Sequence, residues 1–457
     1  MKKFLAILTI LALMLGMAAC GAAPAENSAS PSAPQDPSQN PSSGEPTAEP
    51  VTLRMITWVQ ESNEQAIANL NAAFTAKYPN VTFVVDTVGA NDYPTLLNSR
   101  ITAGDVDILT YISAFDTYPQ DFTRGVDKPA WETFILGGSY LDITDQPFIA
   151  NWDPGMINNA VSYKGRVYGL DMGAVGYNGV FYNKTMFEEH GFEEPGTWAE
   201  FETLCNTLKA KGITPITVGG KDQWPLTSVG VSGIVGACEK DFTAFAKGLW
   251  EGTRKLNDEQ SMKIWNRFEQ LVGWLEPNAM AISYGDAPGR LVAGKAAMMI
   301  DGTWNSSAIE ALDPNFKYGY FPFPGDVDGN PNQLQGKYDM QFNIYAKSPN
   351  VEWALKYFEF LSQKENYGPF VSALGFFPTM PGVESTNAFV NSLADKNVAF
   401  MPSWEKNIVF PKGVGQYATG QLFNINHLKA LGGSVENVKA LADLAQQDWD
   451  AGLAAAK

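Results

Sequence analysis

Val51-Thr52-Leu53-Arg54-Met55-Ile56-Thr57-Trp58 opens the stretch that decides the fold, which runs on to Tyr111. Val51, Leu53, Met55 and Ile56 mark it as a strand. Ser62-Asn63-Glu64-Gln65 follows with the spacing of a capping box, and Ile67, Leu70 and Phe74 then recur at helical intervals. Pro79-Asn80 stops that helix. Val81–Val88 alternates as a second strand, Tyr93–Ala103 reads as a second helix, and Asp107–Tyr111 as a buried third strand. Strand, helix, strand, helix, strand with short connections predicts an α/β fold with a mainly parallel sheet covered on both faces.

Downstream the same character continues without a detectable internal repeat. Thr197–Lys211 is a helix with Trp198, Phe201, Leu204, Cys205 and Leu208 on its apolar face. Asp258–Leu275 carries Trp265, Phe268, Val272 and Leu275 on one side, and Val351–Leu361 and Val438–Leu453 are amphipathic too. At 457 residues the chain is long enough for two or three domains. No Pro/Ser-rich linker divides residues 51–457, so two lobes would be joined by several short crossings.

Upstream, Lys2-Lys3 precede a short apolar run, Phe4–Leu15, and small residues lead to Cys20, the plan of a secretory signal peptide over residues 1–19. The run is short of the ~20 apolar residues of a membrane-spanning helix. Ala18-Ala19-Cys20-Gly21 resembles the lipobox of bacterial lipoproteins, with Met17 in place of the usual Leu. That resemblance implies acylation of Cys20 and a lipid anchor. Residues 20–50, rich in Pro, Ser and Ala, are then expected to be a disordered tether.

Lys and Arg number 32 against 49 Asp and Glu, a net charge of −17, which argues against nucleic-acid partners. Two histidines and three cysteines, with no CxxC or HExxH spacing, leave no basis for a metal centre. Gly289-Arg290-Leu291-Val292-Ala293-Gly294-Lys295-Ala296 imitates a phosphate loop but puts Ala296 where the Mg²⁺-binding hydroxyl belongs. It reads instead as a helix ending at Gly294, then a strand Ala296–Ile300. No G-x-S-x-G elbow occurs, and a glycosidase carboxylate pair has only weak support among so many acids. Cys205 and Cys238 fit a disulfide and a pair of buried thiols equally well.

Aromatic residues are more informative. Trp198, Trp265, Trp353 and Trp449 fall on helical stripes and are expected in the core. Trp58, Trp224, Trp304 and Trp404 sit instead at strand ends or in loops beside polar residues, as in Lys221-Asp222-Gln223-Trp224 and Asp301-Gly302-Thr303-Trp304-Asn305. An aromatic face flanked by carboxylates and amides suits a sugar: the ring covers its C–H face and the polar groups take its hydroxyls.

Gly294-Lys295-Ala296-Ala297-Met298-Met299-Ile300-Asp301-Gly302-Thr303-Trp304 resembles the G-K-A-A-M-x-x-x-G-x-W signature of family 1 extracellular solute-binding proteins. Phe181-Tyr182-Asn183-Lys184 through Phe187, Gly191, Pro195, Thr197-Trp198 and Phe201 resembles a second family segment, continued by Lys209–Ile216. Ala346-Lys347-Ser348-Pro349-Asn350 before a helix is a third.

The resemblance implies a two-lobed periplasmic-binding-protein-like fold, each lobe a central β-sheet flanked by helices, with the ligand cleft between. Residues 51–172 plus 340–377 would form one lobe and 173–339 plus 378–457 the other. Hinge crossings are expected near Asp171–Gly176, Tyr338–Phe342 and Phe376–Pro381. It also implies a non-enzymatic, cofactor-free monomer, and the lipobox with its long polar tether fits the outer face of a Gram-positive cell membrane better than a soluble periplasmic protein. Such a protein captures a sugar and delivers it to ABC permease subunits driven by a cytoplasmic ATPase; the abundance of aromatic residues points to an oligosaccharide rather than a monosaccharide. Trp304 is the expected stacking platform; Trp58, Glu61, Asn63, Tyr111 and Asp116 would face it from the first lobe. Tyr177, Asp222 and Trp224 would line the second, with Asp339 and Trp404 beside the second crossing and in a late loop. A glycosidase and a receptor for a polyamine or peptide are the alternatives.

Overall fold

The computed structural model describes residues 49–456 except 60, 114, 116–119, 327–333 and 396–399. The signal peptide, most of the tether, Cys20 and Asp116 lie outside the described residues. Ala48–Lys457 forms one compact unit. Its strands are β1 (Val51–Trp58), β2 (Val81–Val88), β3 (Ile108–Ser113), β4 (Leu170–Gly176), β5 (Gly179–Asn183), β6 (Ile216–Thr217), β7 (Met298–Ile300), β8 (Tyr318–Pro322), β9 (Leu334–Ile344) and β10 (Phe400–Pro402). The helices that matter below are α1 (Glu61–Lys77), α2 (Tyr93–Ala103), α3 (Trp198–Ala210), α4 (Val231–Cys238), α5 (Phe242–Glu251), α6 (Glu259–Trp274), α7 (Val351–Leu361), α8 (Lys364–Leu374) and α9 (Val438–Ala455).

The strands and helices of the opening stretch fall where the pattern predicts, and β1 pairs in parallel with β2 on one side and β3 on the other. However, α1 begins at Glu61, so Ser62 lies within its first turn and the expected capping box at Ser62–Gln65 does not start the helix. Phe74 of α1 meets Tyr357 of α7 and Phe360 at centroid distances of 5.2 and 5.4 Å, seating these helices together against the sheet. Beyond β3 the expectation of a mainly parallel sheet fails. β9 runs antiparallel to β3 and to β4, and the second sheet, ordered β8-β5-β7-β6, is antiparallel except for β6 with β7. β9 lies between β3, more than two hundred residues earlier, and β10, which follows it in the chain and pairs with it in parallel.

β9 connects the two sheets' surroundings. Its start pairs with β10, its end with β3, and β4 runs beside Gly336–Phe342. Ala174 of β4 also bridges to Phe377. The three segments expected to cross between lobes therefore lie side by side. Met340, midway along β9, has φ +59°, a left-handed conformation costly for a residue with a Cβ.

The recognisable motifs have structural duties. Ala296 through Ile300 are all fully buried, as befits an interior strand. Asn183 caps the helix after β5 by accepting from the Met186 amide at 3.0 Å, and Thr197 with Glu200 forms a complete capping box on α3. The Asp107 carboxylate accepts from the Arg54 amide at 2.7 Å and from Asn350 Nδ2 at 3.2 Å, tying the Ala346–Asn350 turn to β1. The buried face of α6 is Ile264, Trp265, Phe268 and Leu271, with Val272 and Leu275 at its margin rather than its centre. Cys205 and Cys238 are free buried thiols; burial raises both, Cys238 to about 11 and Cys205 well above its ordinary value.

Candidate functional site

A cavity of about 1000 Å³ opens between the carboxyl ends of the first sheet's strands and the second sheet's loops. One wall comes from Trp58 at the end of β1 and Val59 after it, Glu64, Gln65 and Ile67 on α1, Thr87 near the end of β2, and Gly89, Ala90 and Asn91 after it. The other carries Tyr177, Asp222, Trp224, Tyr284, Trp304, Asn305, Lys337, Asp339 and Glu405. Clefts at strand carboxyl ends are where α/β proteins bind small ligands.

Trp304 reaches this wall from the single turn Thr303–Asn305, which follows β7, the buried Asp301 and an extended Gly302. A Cβ on Gly302 would sit 2.0 Å from the Trp304 ring, so only glycine lets the indole fold back there. Trp304 Nε1 donates to Tyr284 Oη at 2.6 Å, which Asn305 Nδ2 also reaches at 3.1 Å. Asn305 Nδ2 donates in turn to Asp301 Oδ2 at 2.5 Å, and the Gly302 amide donates to Oδ1 at 2.8 Å. Burial pushes the Asp301 carboxyl up to about 7, against the opposing pull of those two donors. The Tyr284 hydroxyl is raised well above its ordinary value by burial and then by Asp301, so it stays protonated.

Around this anchor the aromatic rings form a tilted group. Trp224 lies 4.7 Å from Tyr284 and 6.3 Å from Trp304, and Tyr177 lies 5.7 Å from Trp304. Asp222 Oδ2 accepts from the Tyr284 amide at 2.7 Å, which fixes the loop bearing Trp224 to the loop bearing Tyr284. Beneath them Lys337 Nζ is held 3.4 Å from Glu405 and 3.9 Å from Asp339, 4.3 Å over the Tyr177 ring. Burial raises Tyr177 as well. Asp339 Oδ1 accepts from the Met340 amide at 2.8 Å, supporting the strained residue of β9.

Trp58, Tyr177, Asp222, Trp224, Trp304 and Asp339 are thus brought together. Trp404 is not: it is fully buried, stacked on Phe245 at 5.3 Å and edge-on to Phe242, with Nε1 donating to Gln421 O at 3.3 Å. It belongs to the core, and its neighbour Glu405 faces the cavity instead. Asn63 is fully buried beneath the first wall, and the cavity meets the next residues, Glu64 and Gln65. Glu61 opens α1, and Tyr111 lies in β3 opposite Gln341.

Sequence reading missed Tyr284, Asn305, Lys337 and Glu405. A signal existed for Lys337: Gln335, Lys337, Asp339, Gln341 and Asn343 alternate with apolar residues along β9, and all five are buried. A buried polar face must find partners, which marks that strand as lining something polar. Tyr284 carried no local signal. Among the described residues no cluster of His, Cys, Asp or Glu could hold a metal, and no helix is long and apolar enough to cross a membrane.

Two sheets with an aromatic cleft at the strand ends match the two-lobed fold of solute-binding proteins. The chain belongs to the bacterial extracellular solute-binding proteins, whose family profile matches residues 58–368. These are binding proteins rather than enzymes, in keeping with the expected non-enzymatic role. The chain is 29% identical over 277 residues to the multiple sugar-binding protein of Streptococcus mutans serotype c, a match covering 59% of this chain and 62% of that one. The match therefore spans less than two thirds of that relative's length. The melibiose/raffinose/stachyose-binding protein MelE of Bacillus subtilis is 20% identical, over 70% of this chain and 72% of its own. The structure of the solute-binding protein RafE with raffinose superposes with a TM-score of 0.69 at 20% identity, covering 88% of this chain and 99% of RafE, a likeness of fold.

Proposed function

We propose that this protein is a lipoprotein receptor that captures a sugar, an oligosaccharide by preference, and hands it to the permease of an ABC importer. The observation that carries the reading is the group Tyr177, Trp224, Tyr284 and Trp304 facing Trp58 across a cavity of about 1000 Å³. Rings on both walls suit the C–H faces of a glycan, while Asp222, Asn305 and Glu405 can take its hydroxyls. The names of relatives that bind raffinose-type sugars support the same ligand class. Lobe 1 is residues 51–172 plus 340–377 and lobe 2 residues 173–339 plus 378–457, with β4, β9 and the Phe376–Pro381 segment as the hinge. The ligand shifts the lobes towards closure by its differential contacts with both walls. Cys20 carries the lipid that holds the protein on the outer face of a Gram-positive cell membrane. Labelling by palmitate that disappears in Cys20→Ser checks that assignment.

The test of the ligand is thermal: the purified chain is melted against mono- and oligosaccharides, with polyamines and peptides as controls. A ligand at 100 times its Kd adds about 2.7 kcal/mol to folding stability, a shift of several degrees. A shift confined to one glycan class supports the reading. The excess of carboxyl groups in the cleft favours a polyamine as the second reading, and a shift from polyamines alone would replace the first with it.

A further inference from the structure

Among the described residues, four acidic side chains line the cleft, Glu64, Asp222, Asp339 and Glu405, against one basic side chain, Lys337. That lysine is already engaged. Its ammonium lies 3.4 Å from Glu405 and 3.9 Å from Asp339 and is capped by the Tyr177 ring at 4.3 Å. With its side chain only 4% exposed, it offers no open side to a ligand carboxylate, which would have to displace Glu405 to reach it. Asp222 lines the cavity while its Oδ2 accepts from the Tyr284 amide. Every charge left over in the lining is therefore negative.

Resting on the saccharide reading above, we infer that the cleft selects by charge: it takes glycans without acidic groups and rejects uronate and phosphorylated ones. Hydroxyls donate to the carboxylates without penalty. A ligand carboxylate or phosphate is repelled across a few Å in a site walled by aromatic rings, where screening is weak. Glu405 both occupies Lys337 and supplies part of the repulsion. Neutralising it uncovers a cation and removes an anion in one step, so the selectivity should respond to it more than to any other single change.

The experiment pairs each neutral glycan that binds in the thermal panel with its acidic form, beginning with galactotriose against trigalacturonate, by calorimetric titration of the full chain. The neutral member should bind at least about tenfold more tightly, and because the charges face each other in an enclosed site the gap should change little as ionic strength rises. In Glu405→Gln the same gap should shrink by about fivefold or more, whatever happens to the affinity for the neutral glycan. Asp222→Asn, which removes a charge without uncovering a cation, should narrow it to a smaller extent and provides a second variant should the first fold poorly. Uronates that bind as tightly as their neutral partners would overturn the charge filter and leave the saccharide reading standing. A gap unmoved by both variants would overturn it too. Silence from every glycan, neutral and acidic, would sink the saccharide reading and this inference with it.

Discussion

Trp304 and Trp404 occupy nearly the same local structure and do different things. Each lies in a single helical turn, Thr303–Asn305 and Trp404–Asn407, with polar residues on either side. Each is almost wholly buried and each donates its indole N–H, Trp304 to Tyr284 Oη at 2.6 Å and Trp404 to Gln421 O at 3.3 Å. They differ in what covers the ring. Phe242 and Phe245 close over Trp404, with Phe245 nearly parallel at 26°, whereas Trp304 has only tilted rings beside it and borders the cavity. A platform and a core residue are thus separated by their partners from distant parts of the chain, not by their own neighbourhood.

The largest expected effect breaks the pair apart in stability. Trp404→Ala removes a fully enclosed indole and should cost about 3–5 kcal/mol of folding free energy. Chemical denaturation measures that cost, and the fraction that remains folded should bind ligand with unchanged affinity. An affinity loss larger than the stability loss would return Trp404 to the site. Trp304→Ala should do the reverse, costing about 2 kcal/mol in binding, close to thirtyfold in Kd, with a smaller change in melting temperature. Titration with whichever glycan stabilises the protein decides it; an unchanged Kd would remove Trp304 from the platform.

The same contrast explains what the sequence made legible. The β1–α1–β2–α2–β3 unit was readable because its hydrophobic period switches cleanly between strand and helix within short distances. The family motifs were readable because caps and close-packed turns demand particular residues: Asn183, Thr197 with Glu200, and Gly302 against the Trp304 ring. The antiparallel course of β9 was not, since pairing partners some two hundred residues apart leave no local trace. In the site, Trp58, Trp224 and Trp304 stood out as aromatic residues off any helical stripe. Tyr284 and Glu405 did not, because their roles come from what they touch: Tyr284 from Trp304 and Asn305, Glu405 from Lys337. Trp404 was misread for the same reason in the opposite direction.

The smallest expected effect sharpens the comparison from beneath Trp304. Asp301 is buried and reaches that indole through Asn305 and Tyr284, whereas the Trp404 indole donates to the backbone carbonyl of Gln421. Its carboxyl titrates at about 7 when folded, raised by burial, against about 4 in an unfolded chain. Between those values the native state holds a proton that the unfolded state has released. Asp301 therefore favours folding most at the acidic end, and its contribution falls as pH rises towards 7, by about 1 kcal/mol per pH unit, then levels off. Asp301→Asn keeps an oxygen for the Gly302 amide and abolishes the titration. Subtracting its stability profile from that of the wild type should isolate a downward slope between about pH 4 and 7. A flat difference would mean that Asp301 ionises freely and that Trp304 is held by Tyr284 and Asn305 alone. A matching decline in ligand affinity over the same interval, absent in Asp301→Asn, would show that the buried carboxyl acts on the platform and not only on the fold.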